Sequence, residues 1–352
     1  MYPALTVAQA IRERAPADEI WYMGREQGIE RTLAEQAGLP FEAIPAAPVR
    51  GAGPLRLLRN LADLLKGISA AHNALRRLRP DAVFATGGYV SVPVVVAAWL
   101  RRIPSMVYLP DMEPGLAVRA LALIAKRIAV TNEEAAKFFA ARKVTVTGYP
   151  VRAEFGTLGR DEARGRLGVG AGKALLVFGG SRGASALNTA VERSLEDLLE
   201  IAEVIHVCGK EDYAALSQRR SALPADKQAR YHLFEYLHDL PAAVKAADLV
   251  ISRAGASILG EFTLAGAPSI LVPYPYAGQH QMNNARYLAE CGAAVIVEND
   301  AVDRLLFQTA RDLLGDGLRR AAMRQSALKL ARPDAAHRLA EILKNLPTAE
   351  AV

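Results

Sequence analysis

Two α/β domains, each a doubly wound parallel sheet, are what this sequence predicts, and three observations carry the prediction. Short apolar runs alternate with helix-length segments at the spacing of parallel strands joined by right-handed crossovers. The alternation runs from the start of the chain to about residue 150, stops at a charged stretch and restarts at residue 174. Glycine turns stand where strands give way to helices, at residues 87–88, 179–183 and 255. A chain of 352 residues is also too long for one ordinary core.

Taken in order, the first half opens on an amphipathic helix reaching about residue 14. Strand 19–23, helix 28–37 and strand 41–45 follow, then a loop at 47–54 and a long basic helix over 55–79. Strand 81–85 runs into T-G-G-Y-V-S-V-P (residues 86–93), from which a helix continues to 101. Strand 105–109 leads into P-D-M-E-P-G (110–115), and strands at 127–131 and 144–147 end at G-Y-P-V-R (148–152). The polar stretch 153–172 reads as a linker. The second half begins with strand 174–178, the loop G-G-S-R-G-A (179–184), a helix to about 200 and strand 204–208. Strand 231–235, the loop Y-L-H-D-L (236–240), strand 248–252, a short helix and strands 268–273 and 294–298 come next. Two helices over 302–330 and a last one over 334–346 complete it. The expected boundaries are 1–155 and 156–332, with residues 333–352 as a terminal helix.

The stretch from Ser252 to Ala285 concentrates the chemistry. Gly255 stands where strand becomes helix, leaving the backbone amides of Ala256 and Ser257 without intrahelical partners. Such amides, at the positive end of a helix dipole, seat an anion such as a diphosphate. Glu261 follows about a turn and a half later; a carboxylate there suits neutral hydroxyls, as on a ribose, rather than phosphate. Taken alone, Gly255 is only a tight turn and Glu261 an exposed helix residue. The loop G-G-S-R-G-A also follows a strand and opens a helix, so its amides and the Ser181 hydroxyl can cradle a phosphate. Two such loops in one domain can converge on a single diphosphate.

Composition excludes several classes. Lys+Arg 43 against Asp+Glu 37 suits acidic partners, but no aromatic-and-basic RNA signature or zinc spacing accompanies it. A nucleic-acid partner and a metal are therefore not expected, nor any cofactor. Cys208 and Cys291 are isolated and read as reduced thiols. No apolar run approaches the ~20 residues of a membrane span, and no signal peptide is recognisable. No D-x-D pair occurs, which argues against a metal bridged by paired aspartates. The helix over 55–79 sets leucines on one broad face with Arg56, Arg59, Lys66, Arg76, Arg77 and Arg79 nearby. Such a face either packs into a core or docks on anionic lipid, with Trp99, Arg101 and Arg102 able to join it.

On the Ser252–Ala285 stretch and the loop at 179–184, the chain resembles the MurG family of glycosyltransferases over essentially its whole length. The resemblance implies the GT-B fold, two Rossmann-like domains with a cleft between them. It implies an inverting, metal-independent transfer of N-acetylglucosamine from UDP to undecaprenyl-diphosphate-linked muramyl-pentapeptide, lipid I to lipid II. That places the protein at the cytoplasmic face of the inner membrane, against an anionic surface, with its last helix packed on the first domain. By the same resemblance Ser181 contacts the α-phosphate and the Leu237 backbone reads uracil. Ala256, Ser257, Ile258, Leu259, Gly260 and Glu261 hold phosphate and ribose. Gln281 reaches sugar hydroxyls beside His280, and Arg152 contacts the donor across the cleft. Asn284 fits a helix-start role or a ligand role.

Departures from the family pattern fall mainly in the first half. Gly87, Gly88 and Tyr89 match the acceptor-side motif, with Val92 in place of glycine. Where relatives carry H-E-Q-N-A-x-P-G, this chain has Y-L-P-D-M-E-P-G (residues 108–115), so Leu109 and Pro110 replace the glutamate and glutamine and Asp111 the asparagine. Ile258 stands where a threonine is expected. Relatives also carry a strand and a G-G-T-G-G-H loop immediately before the segment matching Tyr2–Leu5, including the histidine assigned as general base. The expectation is that Met1 replaces a valine at an internal GTG codon, with that strand and loop encoded upstream. Asp111 and Glu113 are the candidate catalytic carboxylates; alternatively Asp111 caps a helix beginning near Pro114. Another glycolipid acceptor, an epimerase and an inactive UDP-sugar-binding module are the alternative readings.

Overall fold

The computed structural model describes residues 1–26, 28–46, 54–179, 184–275 and 280–347, residues 54–59 by backbone alone. The expected loop at 47–54 lies almost wholly outside them. Two compact units divide the chain, one of Met1–Val151 with Asp334–Val352 and the other of Arg152–Pro333.

The first unit runs α1 (Tyr2–Arg14), β1 (Tyr22–Gly24), α2 (Ile29–Gln36), β2 (Phe41–Ala43), α3 (Pro54–Leu78), β3 (Val83–Ala85) and α4 (Ser91–Leu100). It continues with β4 (Ser105–Leu109), α5 (Leu116–Ile124), β5 (Arg127–Val130), α6 (Glu133–Ala136) and β6 (Val144–Val146). All pairings are parallel, in two pieces: β1 with β2, and β3-β4-β5-β6 in that order. All five residues of β4 are buried, which is the mark of a strand covered on both faces. Thr131, just past β5, donates its hydroxyl to the carbonyls of Leu109 and Pro110 and fixes the end of β4.

The long helix α3 sorts its sides by size. Gly67, Ala71, Ala74 and Leu75 are buried, with Val94, Ala97 and Ala98 of α4 in the same cluster as the last three. Leu61 and Leu65 instead stand 50% and 60% exposed. Small residues on the buried side let the helix approach closely: a Cβ on Gly67 would lie 2.2 Å from the Pro45 carbonyl oxygen.

The second unit contains α7 (Glu154–Thr157), α8 (Arg160–Leu167), β7 (Ala174–Phe178), α9 (Ser185–Arg193), α10 (Leu195–Ile201), β8 (Glu203–Val207), α11 (Lys210–Ser221), α12 (Ala225–Ala229) and β9 (Tyr231–Phe234). After these come α13 (Leu240–Ala246), β10 (Leu249–Ser252), α14 (Ile258–Ala265), β11 (Ser269–Leu271), α15 (His280–Glu290), β12 (Ala294–Ile296), α16 (Val302–Gly315) and α17 (Gly317–Leu330). Its six strands are parallel in the order β12-β11-β10-β7-β8-β9, the doubly wound topology. The switch point falls between β7 and β10, because the chain leaves β7 in one direction and returns to its other side at β10.

The charged stretch 153–172 is not a linker. It folds as α7 and α8, and Phe155 is wholly buried. Asp248, at the start of β10, accepts from Arg160 at 2.6 Å, from Arg164 at 3.1 Å and from the Ala174 amide at 2.9 Å. Burial pushes the Asp248 carboxyl upward, but these bonds and the two guanidinium charges outweigh it and hold it below its usual range. The charges that suggested a loop are thus spent fastening a helix to the sheet. The single helix expected up to about residue 200 breaks at Ser194 into α9 and α10. Helix α11 escaped the sequence reading because only Leu216 of its residues is buried, which leaves no apolar periodicity to find.

Helix α18 (Ala335–Lys344) closes the chain and belongs to the first unit. Leu339 and Ala340 pack in one cluster with Val7, Ala10 and Ile11 of α1 and Met106 and Tyr108 of β4.

Two stability effects are expected. Gly67→Ala forces α3 off Pro45 and costs about 1–3 kcal/mol, the range for overpacking, read as a lowered Tm by calorimetry. His206 of β8 is fully buried, and burial, opposed by Asp212, pushes its imidazole down to about 4 from the ordinary 6.5. A neutral buried histidine stabilises the fold fully above pH 6.5 and loses that contribution as pH falls toward 4. The difference corresponds to about 3 kcal/mol. Urea unfolding across that window should steepen in the wild type relative to His206→Gln; parallel profiles would refute it.

Candidate functional site

The carboxyl end of the β10 strand in the second unit gathers most of the residues singled out above. A hydrogen-bonded turn follows Ser252, and α14 opens tightly: the amides of Ile258, Leu259 and Gly260 each bond the carbonyl three residues back. The amides of Ala256 and Ser257 lie just before that turn, outside its ladder, at the positive end of the helix. Gly255 does not have a positive φ, so the backbone does not demand glycine there. A Cβ on it would meet no atom of the described residues within 4 Å. Gly266 ends α14 in the left-handed conformation, φ 60°, with a Cβ position only 2.9 Å from the Leu328 side chain.

Glu261 sits in the first turn of α14. The residue is half-buried, yet its Oε2 is shut off from solvent and has no hydrogen-bond partner among the described residues. Burial pushes the carboxyl up, against the Ser257 hydroxyl and the Arg152 charge, which favour the ionised form. Arg152 belongs to the same unit. It donates to the His238 carbonyl at 3.4 Å and lies over the Phe155 ring. Leu237, next to His238, is partly exposed in the loop after β9, where Tyr236 and His238 meet edge to face. Arg152, the 236–239 loop, Ser257 and Glu261 therefore form one group.

Gln281 and Asn284, on α15, hold the other side of the turn. The Gln281 Oε1 accepts from the Ala254 amide at 3.2 Å and from the Tyr274 amide at 2.9 Å. Its carbonyl is occupied by the backbone, and its amide nitrogen is what remains to face a ligand. Asn284 is wholly buried and donates to the Ala254 carbonyl at 3.1 Å. His280 opens α15 with its Nδ1 buried and unpartnered among the described residues. Ser181 lies outside the described residues.

Sequence reasoning missed Arg253. It is buried, donates to the Val272 carbonyl at 3.1 Å and to Asn299 Oδ1 at 2.7 Å, and lies over the Tyr274 ring. It joins the ends of β10 and β11 to the loop after β12. An arginine directly after an apolar strand was the signal available in the sequence.

In the first unit, Gly87 and Gly88 have φ of 82° and 84°, a turn that suits glycine, and Ser91 donates to the Gly87 carbonyl. Tyr89 is 52% exposed. Asp111 and Glu113 follow β4, which pairs with β3, so they lie at the same sheet end as the Gly87–Tyr89 turn. Asp111 is not the cap residue of the following helix: α5 starts at Leu116 and its cap position is Gly115. The turn is held instead by Arg119, which donates to the Pro114 carbonyl at 3.0 Å, and by Asn132, bonded to Met112 Sδ. Among the described residues no cluster of His, Cys, Asp or Glu is arranged to hold a metal ion.

Glu261 also makes a stability prediction. A carboxyl whose pKa is raised on folding destabilises the folded state once pH exceeds its unfolded value of about 4.5. Glu261→Gln should therefore raise the Tm at pH 7, with the gain shrinking as pH falls toward 4.5. A Tm lowered at pH 7 would show the carboxylate to be satisfied.

Comparison with known proteins identifies the family. The profile of the glycosyltransferase family 28 C-terminal domain matches residues 174–339, and that of its N-terminal domain residues 1–130. A UDP-N-acetylglucosamine--N-acetylmuramyl-(pentapeptide) pyrophosphoryl-undecaprenol N-acetylglucosamine transferase from Roseiflexus sp. (strain RS-1) is 41% identical, over 98% of this chain and 92% of its own. The protein of that name from Desulforudis audaxviator (strain MP104C) is 40% identical over 98% and 95%. The crystal structure of Acinetobacter baumannii MurG matches with a TM-score of 0.75 at 27% identity, over 97% of this chain and 95% of that one. Two parallel α/β units, the second doubly wound, and this similarity over nearly the whole length lead to one assignment: the chain belongs to the MurG family, within glycosyltransferase family 28, and has its GT-B fold.

Proposed function

We propose that this chain transfers N-acetylglucosamine from UDP-N-acetylglucosamine to undecaprenyl-diphosphate-linked muramyl-pentapeptide, with inversion and without a metal. The observation that carries the donor half is the turn at Gly255, with its two amides outside the helix ladder and the unpartnered Glu261 Oε2 close behind them. The diphosphate takes the amides of Ala256 and Ser257 and the Ser181 loop; the ribose hydroxyls donate to Glu261. The Leu237 backbone reads the uracil, and the Gln281 amide nitrogen, with His280 beside it, donates to the sugar. Asn284 and Arg253 hold the turn from behind.

Departure of UDP leaves a dianion, which backbone dipoles and Arg152 stabilise in place of a metal. The acceptor hydroxyl attacks the anomeric carbon opposite the leaving diphosphate and needs a base to take its proton. Asp111 and Glu113 are the carboxylates assigned to that role in the chain as it stands, and Gly87, Gly88 and Tyr89 the acceptor contacts.

The lipid-linked acceptor puts the protein at the cytoplasmic face of the inner membrane. No described helix is long and apolar enough to cross a bilayer. The first unit instead exposes Leu61, Leu65, Trp99, Leu100, Leu116 and Leu123, the last 79% exposed, on or next to elements that carry Lys66, Arg76 and Arg77 (α3), Arg101 and Arg102 (after α4) and Arg119 (α5). That pattern suits an anionic lipid surface.

Radiolabelled UDP-N-acetylglucosamine with a short-chain lipid I analogue tests the reading. Transfer of label to the analogue is expected. Tight UDP binding without transfer would favour a binding module, and transfer only to a different glycolipid would change the acceptor. Glu261→Ala should weaken UDP binding by roughly 1.5–3 kcal/mol, the scale of a hydrogen bond to a charged group; unchanged calorimetric affinity would remove Glu261 from the site.

A further inference from the structure

Beneath α9 of the second unit lies a buried polar chain that the transfer reaction does not itself use. Asn188, in the second turn of α9, is buried, and its Nδ2 has two acceptors: the Cys208 carbonyl at 2.8 Å and Asp212 Oδ2 at 2.6 Å. Neither partner can donate, so that atom is the amide nitrogen and Oδ1 must accept. The group facing Oδ1, at 3.0 Å, is His206 Nε2, which therefore carries the ring proton. Nδ1 is then bare and accepts from the Tyr231 hydroxyl at 2.9 Å. Asp212, on α11, also accepts from Ser185 at 3.1 Å, the residue that opens α9.

Every member has a determined role, and donation runs one way, from Tyr231 through His206 and Asn188 to the Asp212 carboxylate. A fully satisfied chain of this kind adds little net stability over a well-packed apolar one. What it adds is geometry, since each bond has a length and a direction where apolar contacts have neither. Here the geometry fixed is that of α9 over β8 and β9, and α9 begins directly after the loop at 179–184. We propose that Asn188, oriented by His206 and Asp212, is a positioning residue that holds the start of α9, with the first backbone amides of that helix, where the diphosphate needs them. The inference rests on the donor reading given above and adds residues that touch no substrate.

The test compares dissociation constants for UDP and uridine, measured on the full chain by calorimetry and ligand-observed NMR. Asn188→Leu should lose UDP affinity by about tenfold or more while uridine affinity stays within about twofold. His206→Gln, which keeps a donor where Nε2–H stands, should bind UDP within about threefold of wild type. Leu198→Ala opens a cavity in the same core at the far end of β8, and should lower the Tm with UDP affinity unchanged. Asp212→Ala, at a partly exposed position, carries the test if Asn188→Leu does not fold: UDP affinity should fall and uridine affinity should not. Equal loss of both ligands, or UDP binding within about twofold of wild type in both Asn188→Leu and Asp212→Ala, overturns the proposal. Failure of the wild type to bind UDP would instead overturn the donor reading itself.

Discussion

A parallel sheet wound in both directions must reverse somewhere, and at the reversal two helices on opposite faces start side by side with nothing between their first turns. In the second unit this happens between β7 and β10. The backbone amides that begin α9 and α14 have no carbonyls of their own to bond, and no strand crosses to cover them. The fold thus creates two positive, unsatisfied ends at one place. In the function proposed above, the residues around them keep those ends uncovered and aimed at the diphosphate.

Seen this way, the polar side chains of the site divide into holders and receivers. Gln281, Asn284 and Arg253 put their hydrogen-bonding groups into backbone carbonyls and amides and so fix the turn after β10. Glu261 does the opposite: one of its oxygens is kept out of water and out of any bond among the described residues. A buried, unmatched acceptor is unfavourable in the empty protein and becomes satisfied only when a donor arrives. That is the usual relation between stability and function at a binding site, where local strain or desolvation is tolerated because a ligand relieves it.

Much of the fold was legible in the sequence because parallel sheets buried on both faces write themselves as short, wholly apolar runs. The runs at 105–109 and 174–178 became β4 and β7 without shift, and several others lost only a residue or two at their ends. The misreadings share a cause. The stretch at 153–172 reads as a linker by its charge, yet Arg160 and Arg164 find Asp248 more than 80 residues away. Helix α11 buries one residue, and Ser194 divides a segment whose apolar spacing is continuous. Asp111 has the residue type and place of a cap, but α5 begins later than Pro114 suggests.

The sequence by itself determined the two-fold repetition of the α/β pattern, the glycine turns at strand ends and the family to which they belong. These are local or periodic properties, carried by residue type and spacing. Tertiary structure alone decided which polar groups are spent on the scaffold and which are left for a ligand. It showed that the carbonyl of Gln281 is already taken, that Glu261 waits with a free oxygen, and that Asn188, His206, Asp212 and Tyr231 form one chain. Hydrogen-bond capacity can be counted from a sequence. Its allocation cannot, because each partner is chosen by distance in three dimensions and partners here lie as far as 88 residues apart.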